Sequence, residues 1–186
     1  MKRKKQSDYK LYSDYKLILV VGQTGTGKTT WVRKLLEHQP YIVIDPVGAW
    51  SDIPEAETLE ELDKWQGKTS IRITSLIHEM EEEVVKTLRT FQKINLVIDD
   101  ADTFIFLRPR GYWMAFFFAY RHLRQNIFII CHSYGDVPNS VKRTADLHVV
   151  FPHISPVSIP GGQKFKPRIY TRDQILEIFW KIKTRV

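Results

Sequence analysis

The residues with the most chemical content stand between Gly22 and Thr30. The run Gly22-Gln23-Thr24-Gly25-Thr26-Gly27-Lys28-Thr29 fits the pattern G-x-x-x-x-G-K-[ST]. It follows a short apolar run, Lys16 to Val21, and precedes a stretch, Thr29 to Leu36, that reads as a helix. In the order strand, glycine loop, helix, backbone N–H groups can curl around phosphate oxygens while the helix N-terminus adds positive potential. Lys28 would then bridge the β and γ phosphates, and the Thr29 hydroxyl would hold Mg²⁺. The expected ligands are therefore ATP and Mg²⁺, and the expected nucleotide-binding residues are Gly22, Gln23, Thr24, Gly25, Thr26, Gly27, Lys28, Thr29 and Thr30. The alternative is a chance glycine turn ahead of a helix.

A site of this kind needs a second half, an acidic residue at the end of a buried strand. Asp99, after Leu96-Val97-Ile98, holds the position from which a carboxylate reaches the water shell of Mg²⁺. Asp100 is one step further and is read as the group that polarises the attacking water. Asp102 is expected only to cap the following helix. A small-molecule kinase is the main competing use of such a loop, and Arg108 and Arg110, flanking Pro109, could form its short lid.

These groups need elements to position them. Tyr41 to Ile44 reads as a second buried strand and Ile71 to Ile73 as a shorter one, with an acidic, partly helical stretch from Ser51 to Gln66 between them. Leu76 to Phe91 has helical spacing, Ile94 to Ile98 is strand-like, Gly111 to Arg124 reads as a helix, and Ile127 to Ile130 and Leu147 to Phe151 read as strands. Alternation of fully apolar strands with helices indicates an α/β domain whose mainly parallel sheet is covered on both faces. The expected organisation is a basic arm over 1–15, a core over 16–151, and a Pro/Gly-rich basic loop followed by a helix, capped by Thr171, over 152–186. The helix around Trp113, Met114, Phe116, Phe117 and Phe118 is apolar nearly all round, so it is either a buried core helix or a subunit interface.

Composition narrows the classes further. At 186 residues the chain has room for one domain, and its 43% hydrophobic content can fill a core. The formal net charge of +7 makes a polyanionic partner plausible. A single cysteine, Cys131, excludes an intrachain disulfide framework and a Cys-rich metal site. The longest apolar runs are far short of the roughly 18–20 residues that span a bilayer. The basic start, Met1 to Lys5, is followed by polar Gln6-Ser7-Asp8 rather than by the apolar stretch of a signal peptide.

From about Lys16 to Phe151 the chain resembles the FtsK/HerA superfamily of P-loop ATPases, and within it the compact viral genome-packaging ATPases. Besides the phosphate loop, the resemblance is carried by Ile42-Val43-Ile44-Asp45-Pro46-Val47-Gly48-Ala49-Trp50, which looks like that family's second strand and its Asp-Pro-x-Gly turn. It is also carried by Arg121-His122-Leu123-Arg124-Gln125-Asn126 leading into Ile127 to His132. The family usually has Glu where Asp100 stands and Gln where His132 stands. The resemblance implies a RecA-like fold, with His132 as a polar sensor of the γ-phosphate or as a strand-end turn residue. It implies Arg121 as an arginine finger acting in a neighbouring subunit's site, with Arg124 and Arg143 as the other choices.

The function implied is ATP-driven translocation of double-stranded DNA, packaging a viral genome into a preformed capsid, by a homo-oligomeric ring of five or six subunits without a membrane span. Capsid vertex proteins would be further partners, and the host cytoplasm or a capsid vertex the location. Lys2, Arg3, Lys4, Lys5, Lys164 and Lys166 are the expected phosphate contacts. A Zot-like assembly or export ATPase, a small-molecule kinase and a nucleotide-dependent switch are the alternatives.

Overall fold

The computed structural model describes residues 15–107, 110–151 and 167–174. The strands are β1 (Leu17–Val21), β2 (Tyr41–Ile44), β3 (Ile71–Ile73), β4 (Ile94–Ile98), β5 (Gln125–Cys131), β6 (Leu147–Val150) and β7 (Arg168–Thr171). The helices are α1 (Lys28–Leu35), α2 (Leu59–Asp63), α3 (Ser75–Glu79), α4 (Glu81–Leu88), α5 (Ala101–Phe104), α6 (Gly111–Ala119) and α7 (Asn139–Thr144).

The strands form one sheet in the order β3-β2-β4-β5-β1-β6-β7. All neighbours pair in parallel except β6 and β7. Every residue of β1, β2 and β4 is buried, as strands covered on both faces must be. Alternate side chains go to opposite sides. Leu17, Leu19 and Val21 join Trp113, Phe116 and Phe117 of α6 in one core, while Ile18 and Val20 pack with Val32 and Leu36 of the α1 region in the other.

Parallel pairing gathers the C-terminal ends of β1, β2, β4 and β5 along one edge, and the residues that follow them are Gly22, Asp45, Asp99 and His132. Because β5 lies between β1 and β4, His132 emerges between the glycine loop and Asp99.

Several sequence expectations change. The stretch 76–91 is two helices, broken at Met80, whose φ of −134° and ψ of 43° are non-helical. The acidic stretch 51–66 is helical only over α2, where the Thr58 hydroxyl caps the Glu61 N–H at 3.2 Å. The helix from Gly111 ends at Ala119 rather than Arg124, because Arg124 adopts a left-handed φ of 54° and turns the chain into β5 two residues before the expected strand start. Of its aromatic side chains, Trp113, Phe116 and Phe117 are buried and Phe118 is 50% exposed, so α6 is mainly a core helix. Strand β7 was hidden beside prolines and glycines. Thr171 closes it and exchanges hydrogen bonds with Gln174 in a capping arrangement, the Gln174 N–H reaching Thr171 Oγ1 at 3.4 Å and the Thr171 N–H reaching Gln174 Oε1 at 2.9 Å. The basic arm, the loop with Lys164 and Lys166, Arg108 and Pro109, and the remainder of the last helix lie outside the described residues. Among the described residues no helix is long and apolar enough to cross a membrane.

Candidate active site

The loop after β1 is shaped by its glycines. Gly27 has a φ of 92°, where a side chain would strain the backbone as α1 begins. Gly22 is fixed by space instead, since a Cβ there would sit 2.6 Å from Cβ of Phe151. The Lys28 ammonium folds back into this loop and donates to the carbonyl oxygens of Gly22 at 2.6 Å and Gln23 at 3.1 Å. Burial lowers its pKa, and the charges of Asp100 and Asp99 act against that shift. Thr26 is buried and its hydroxyl donates to Gln23 O at 2.8 Å, while Gln23, Thr24, Gly25 and Thr30 are exposed.

Asp99 is 3% exposed and its carboxylate is held at both oxygens. Oδ1 accepts the Asp100 N–H at 3.0 Å, and Oδ2 accepts the Thr29 hydroxyl at 3.1 Å and the Trp50 indole N–H at 2.7 Å. Thr29 and Asp99 therefore meet as expected. A hydroxyl beside a carboxylate is an all-oxygen donor pair, which suits Mg²⁺. Bound there, Mg²⁺ would supply neutralisation of phosphate charge.

Asp100 occupies a left-handed φ of 49°, a strained setting for a non-glycine residue and one that recurs at functional sites. Its pKa is raised by burial first and by the Asp99 charge second, with His132 and Lys28 opposing. His132 Nε2 lies 3.3 Å from Asp100 Oδ1. On the other side of the ring, Nδ1 lies 3.3 Å from Asp102 Oδ1, and the His132 backbone N–H donates to Asp102 Oδ2 at 2.8 Å. The expectation that Asp102 caps a helix is thus corrected: it lies inside α5, and its carboxylate is spent on holding the end of β5. Asp100 sits at the cap position of α5, yet its side chain makes no cap hydrogen bond and is left for other work. One ligand atom from each of Asp100, Asp102 and His132 lies within 4.8 Å of the others, although the two ring nitrogens of His132 face different carboxylates.

Arg121, Arg124 and Arg143 all stand at the other edge of the sheet. Arg121 and Arg124 immediately precede β5, and Arg143 is in the last turn of α7 before β6. Seven residues of β5 at roughly 3.3 Å each separate the first two from the glycine loop. Arg121 and Arg124 therefore lie a strand's length from the glycine loop of the same chain. Arg121 is bonded to Asp146, which also accepts the Leu17 N–H at 3.0 Å and the Tyr120 hydroxyl.

The roles of two residues escaped the sequence reading: Trp50, which holds Asp99, and Asp102, which holds His132. Trp50 has no titratable group, and its signal was only its place at the end of the Asp-Pro-Val-Gly turn. Asp102 in a first helical turn looks the same whether it caps or bonds a neighbouring strand.

Comparison with known proteins agrees with this geometry. Residues 17–132 match the AAA domain family. No curated protein matches the sequence. Among solved structures, the genome packaging NTPase B204 from Sulfolobus turreted icosahedral virus 2, in complex with AMPPCP, superposes with a TM-score of 0.64 at 17% identity, over 76% of this chain and 77% of that one. The N-terminal domain of zonular occludens toxin from Neisseria meningitidis gives 0.51 at 16% identity, over 86% and 95% of the two chains. The cytoplasmic domain of EssC gives 0.53 at 13% identity over 91% of this chain, which spans 44% of that protein. At these identities the likeness is one of fold, the mostly parallel sheet of P-loop NTPases. Since the family match spans well over half of its residues, this chain belongs to the AAA domain family of P-loop ATPases.

Proposed function

We propose that this protein is a DNA-translocating ATPase that packages a viral genome. The observation that carries the reading is the gathering of Lys28, Thr29, Asp99, Asp100 and His132 at one sheet edge, within a fold that superposes over most of its length on a genome packaging NTPase. Lys28 and the loop would hold the phosphates, Thr29 and Asp99 would hold Mg²⁺, and Asp100 would accept a proton from the attacking water while His132 steadies Asp100. The net charge of +7 supports a polyanionic partner.

The arginine completing the charge on the transferring phosphoryl group would come from a neighbour in a ring, and Arg121 is our choice. Its distance from its own loop leaves only that route, and to act it must exchange Asp146 for phosphate. An export or assembly ATPase is the second reading, favoured by the 95% coverage of the zonular occludens toxin domain.

The test is the ATPase rate with and without long duplex DNA, with chromatographic detection of any phosphorylated small molecule. Stimulation by duplex without a phosphorylated acceptor is expected. Appearance of such an acceptor would make the protein a kinase.

A further inference from the structure

Asp99, the carboxylate that would face Mg²⁺, is held by a group with no place in the proposed hydrolytic set. Trp50 is fully buried, and its indole N–H makes the shortest of the three hydrogen bonds to Asp99, at 2.7 Å. We propose that Trp50 is a positioning residue for the metal-binding carboxylate, and that the segment from Asp45 to Asp52 is the frame that holds it in place. The inference rests on the reading of Thr29 and Asp99 as the Mg²⁺ site.

The frame is built around a second buried carboxylate. Asp45, 1% exposed, accepts the backbone N–H groups of Gly48 and Ala49 at Oδ1, both at 2.9 Å, and that of Trp50 at Oδ2, at 2.8 Å. The turn that delivers Trp50 is therefore tied down at its start and at its end. The indole ring is then enclosed. Tyr41 meets it edge-on with centroids 5.7 Å apart, and the Arg33 guanidinium lies 4.2 Å over its face. Arg33 is itself locked to Asp52 by two hydrogen bonds, at 2.7 and 2.8 Å, and reaches Ala49 O at 3.2 Å. Since Arg33 belongs to α1, the helix that opens with Lys28 and Thr29, the frame joins the phosphate loop's own helix to the end of β4.

The chemistry of the donor explains its value. A carboxylate end turns freely about its last torsion unless its oxygens are bonded. The Thr29 hydroxyl is itself a prospective metal ligand, so it cannot be a permanent tether for Asp99. An indole N–H donates, has no lone pair for a cation and carries no charge. It can fix the carboxylate plane while leaving its full negative charge to the metal, which a Lys or Arg in the same place would cancel. A ring serving packing alone would need no N–H at this point.

Trp50→Phe keeps a ring for Tyr41 and Arg33 and removes only the donor. The experiment is calorimetry of ATPγS binding to the full chain, in EDTA and in Mg²⁺, beside thermal melting. For the wild-type protein, Mg²⁺ should tighten binding. For Trp50→Phe, affinity in EDTA should stay within about two-fold of wild type while the tightening by Mg²⁺ falls about 10-fold or more, the usual effect of losing a group that orients a metal ligand. Tyr41→Leu, which disturbs the packing but leaves the N–H, should lower the melting temperature and keep the Mg²⁺ effect. An unchanged Mg²⁺ effect in Trp50→Phe, whatever its melting temperature, overturns the inference. Should that variant fail to fold, Asp45→Asn, which loosens the frame, must show the same weakening in smaller degree, and an undiminished effect there overturns it equally. A wild-type protein whose nucleotide affinity ignores Mg²⁺ would instead overturn the Thr29–Asp99 site, and this inference with it.

Discussion

The two edges of the sheet treat buried acids in opposite ways. At the edge reached by the C-terminal ends of the strands, Asp99, Asp100 and Asp102 crowd together beside the Lys28 ammonium, which is turned to backbone carbonyls, and the His132 imidazole stands between Asp100 and Asp102. At the edge where the parallel strands begin, Asp146 takes a backbone N–H, a phenol hydroxyl and a guanidinium. The first edge holds its carboxylates in place mainly with neutral donors and so leaves their charge available. The second neutralises its carboxylate with a cation. The contrast sets Asp99 and Asp100, proposed to face a ligand, against Asp146, which is bound up in structure.

The contrast can be broken most severely at Arg121. If this residue leaves Asp146 to serve a neighbouring subunit, Arg121→Ala should cut hydrolysis by about 10³–10⁵-fold while ATP binding persists. Mixed with Lys28→Ala, which keeps an intact arginine, it should regain partial activity in a way that depends on protein concentration. If Arg121 is only Asp146's partner, the variant should lose stability and keep its turnover. Rescue by Arg124→Ala or Arg143→Ala in the same mixture, and not by Arg121→Ala, would move the role to that residue.

Next in size are the two acids around His132. Asp100→Asn should reduce turnover by about 10²–10⁴-fold with nucleotide affinity kept, as expected for loss of a general base. Asp102→Asn should cost about 10-fold, because the carboxylate acts only through the ring and backbone of His132. Steady-state rates beside nucleotide dissociation constants separate the two. Equal losses would place Asp102 in the chemistry itself.

How far the sequence foretold these two edges depends on whether local pattern or strand order decided the matter. The glycine loop, Asp99 and the alternation of strands and helices were legible because each is written in adjacent residues: an apolar run, then a turn, then a charge. The pairing of Asp102 with His132 was not, since it needs β4 and β5 side by side and the two residues lie 30 positions apart. Trp50 and Asp99, 49 apart, met for the same reason. Strand β7 was concealed by neighbouring prolines and glycines, although antiparallel pairing to β6 made it part of the sheet. The end of α6 was misplaced because Arg124 adopts a left-handed conformation that its residue type does not announce.

The smallest effect lies between the two edges, at His148 in β6. Its ring is fully buried with Nε2 unpartnered, and burial lowers its pKa to about 4. The unfolded chain therefore binds a proton that the folded chain refuses as pH falls from about 6.5 toward 4. Its stabilising effect is complete above that window and is lost on acidification, on the order of 1–2 kcal/mol by pH 5. Urea denaturation at pH 7 and pH 5 should show the difference, and His148→Leu should flatten it. An acid limb of the same size in that variant would assign the loss to other groups.

In the proposed function, hydrolysis at the first edge moves duplex DNA. A short strand bound as a triplex at one end of a long linear duplex gives the most direct measurement, because a translocating motor strips it off and a stationary ATPase does not. The expected result is ATP-dependent release that falls as salt rises, disappears in Lys28→Ala and becomes slower as the duplex between loading site and triplex is lengthened. Vigorous ATP hydrolysis in the same mixture, with the triplex left in place at every duplex length, would contradict the account.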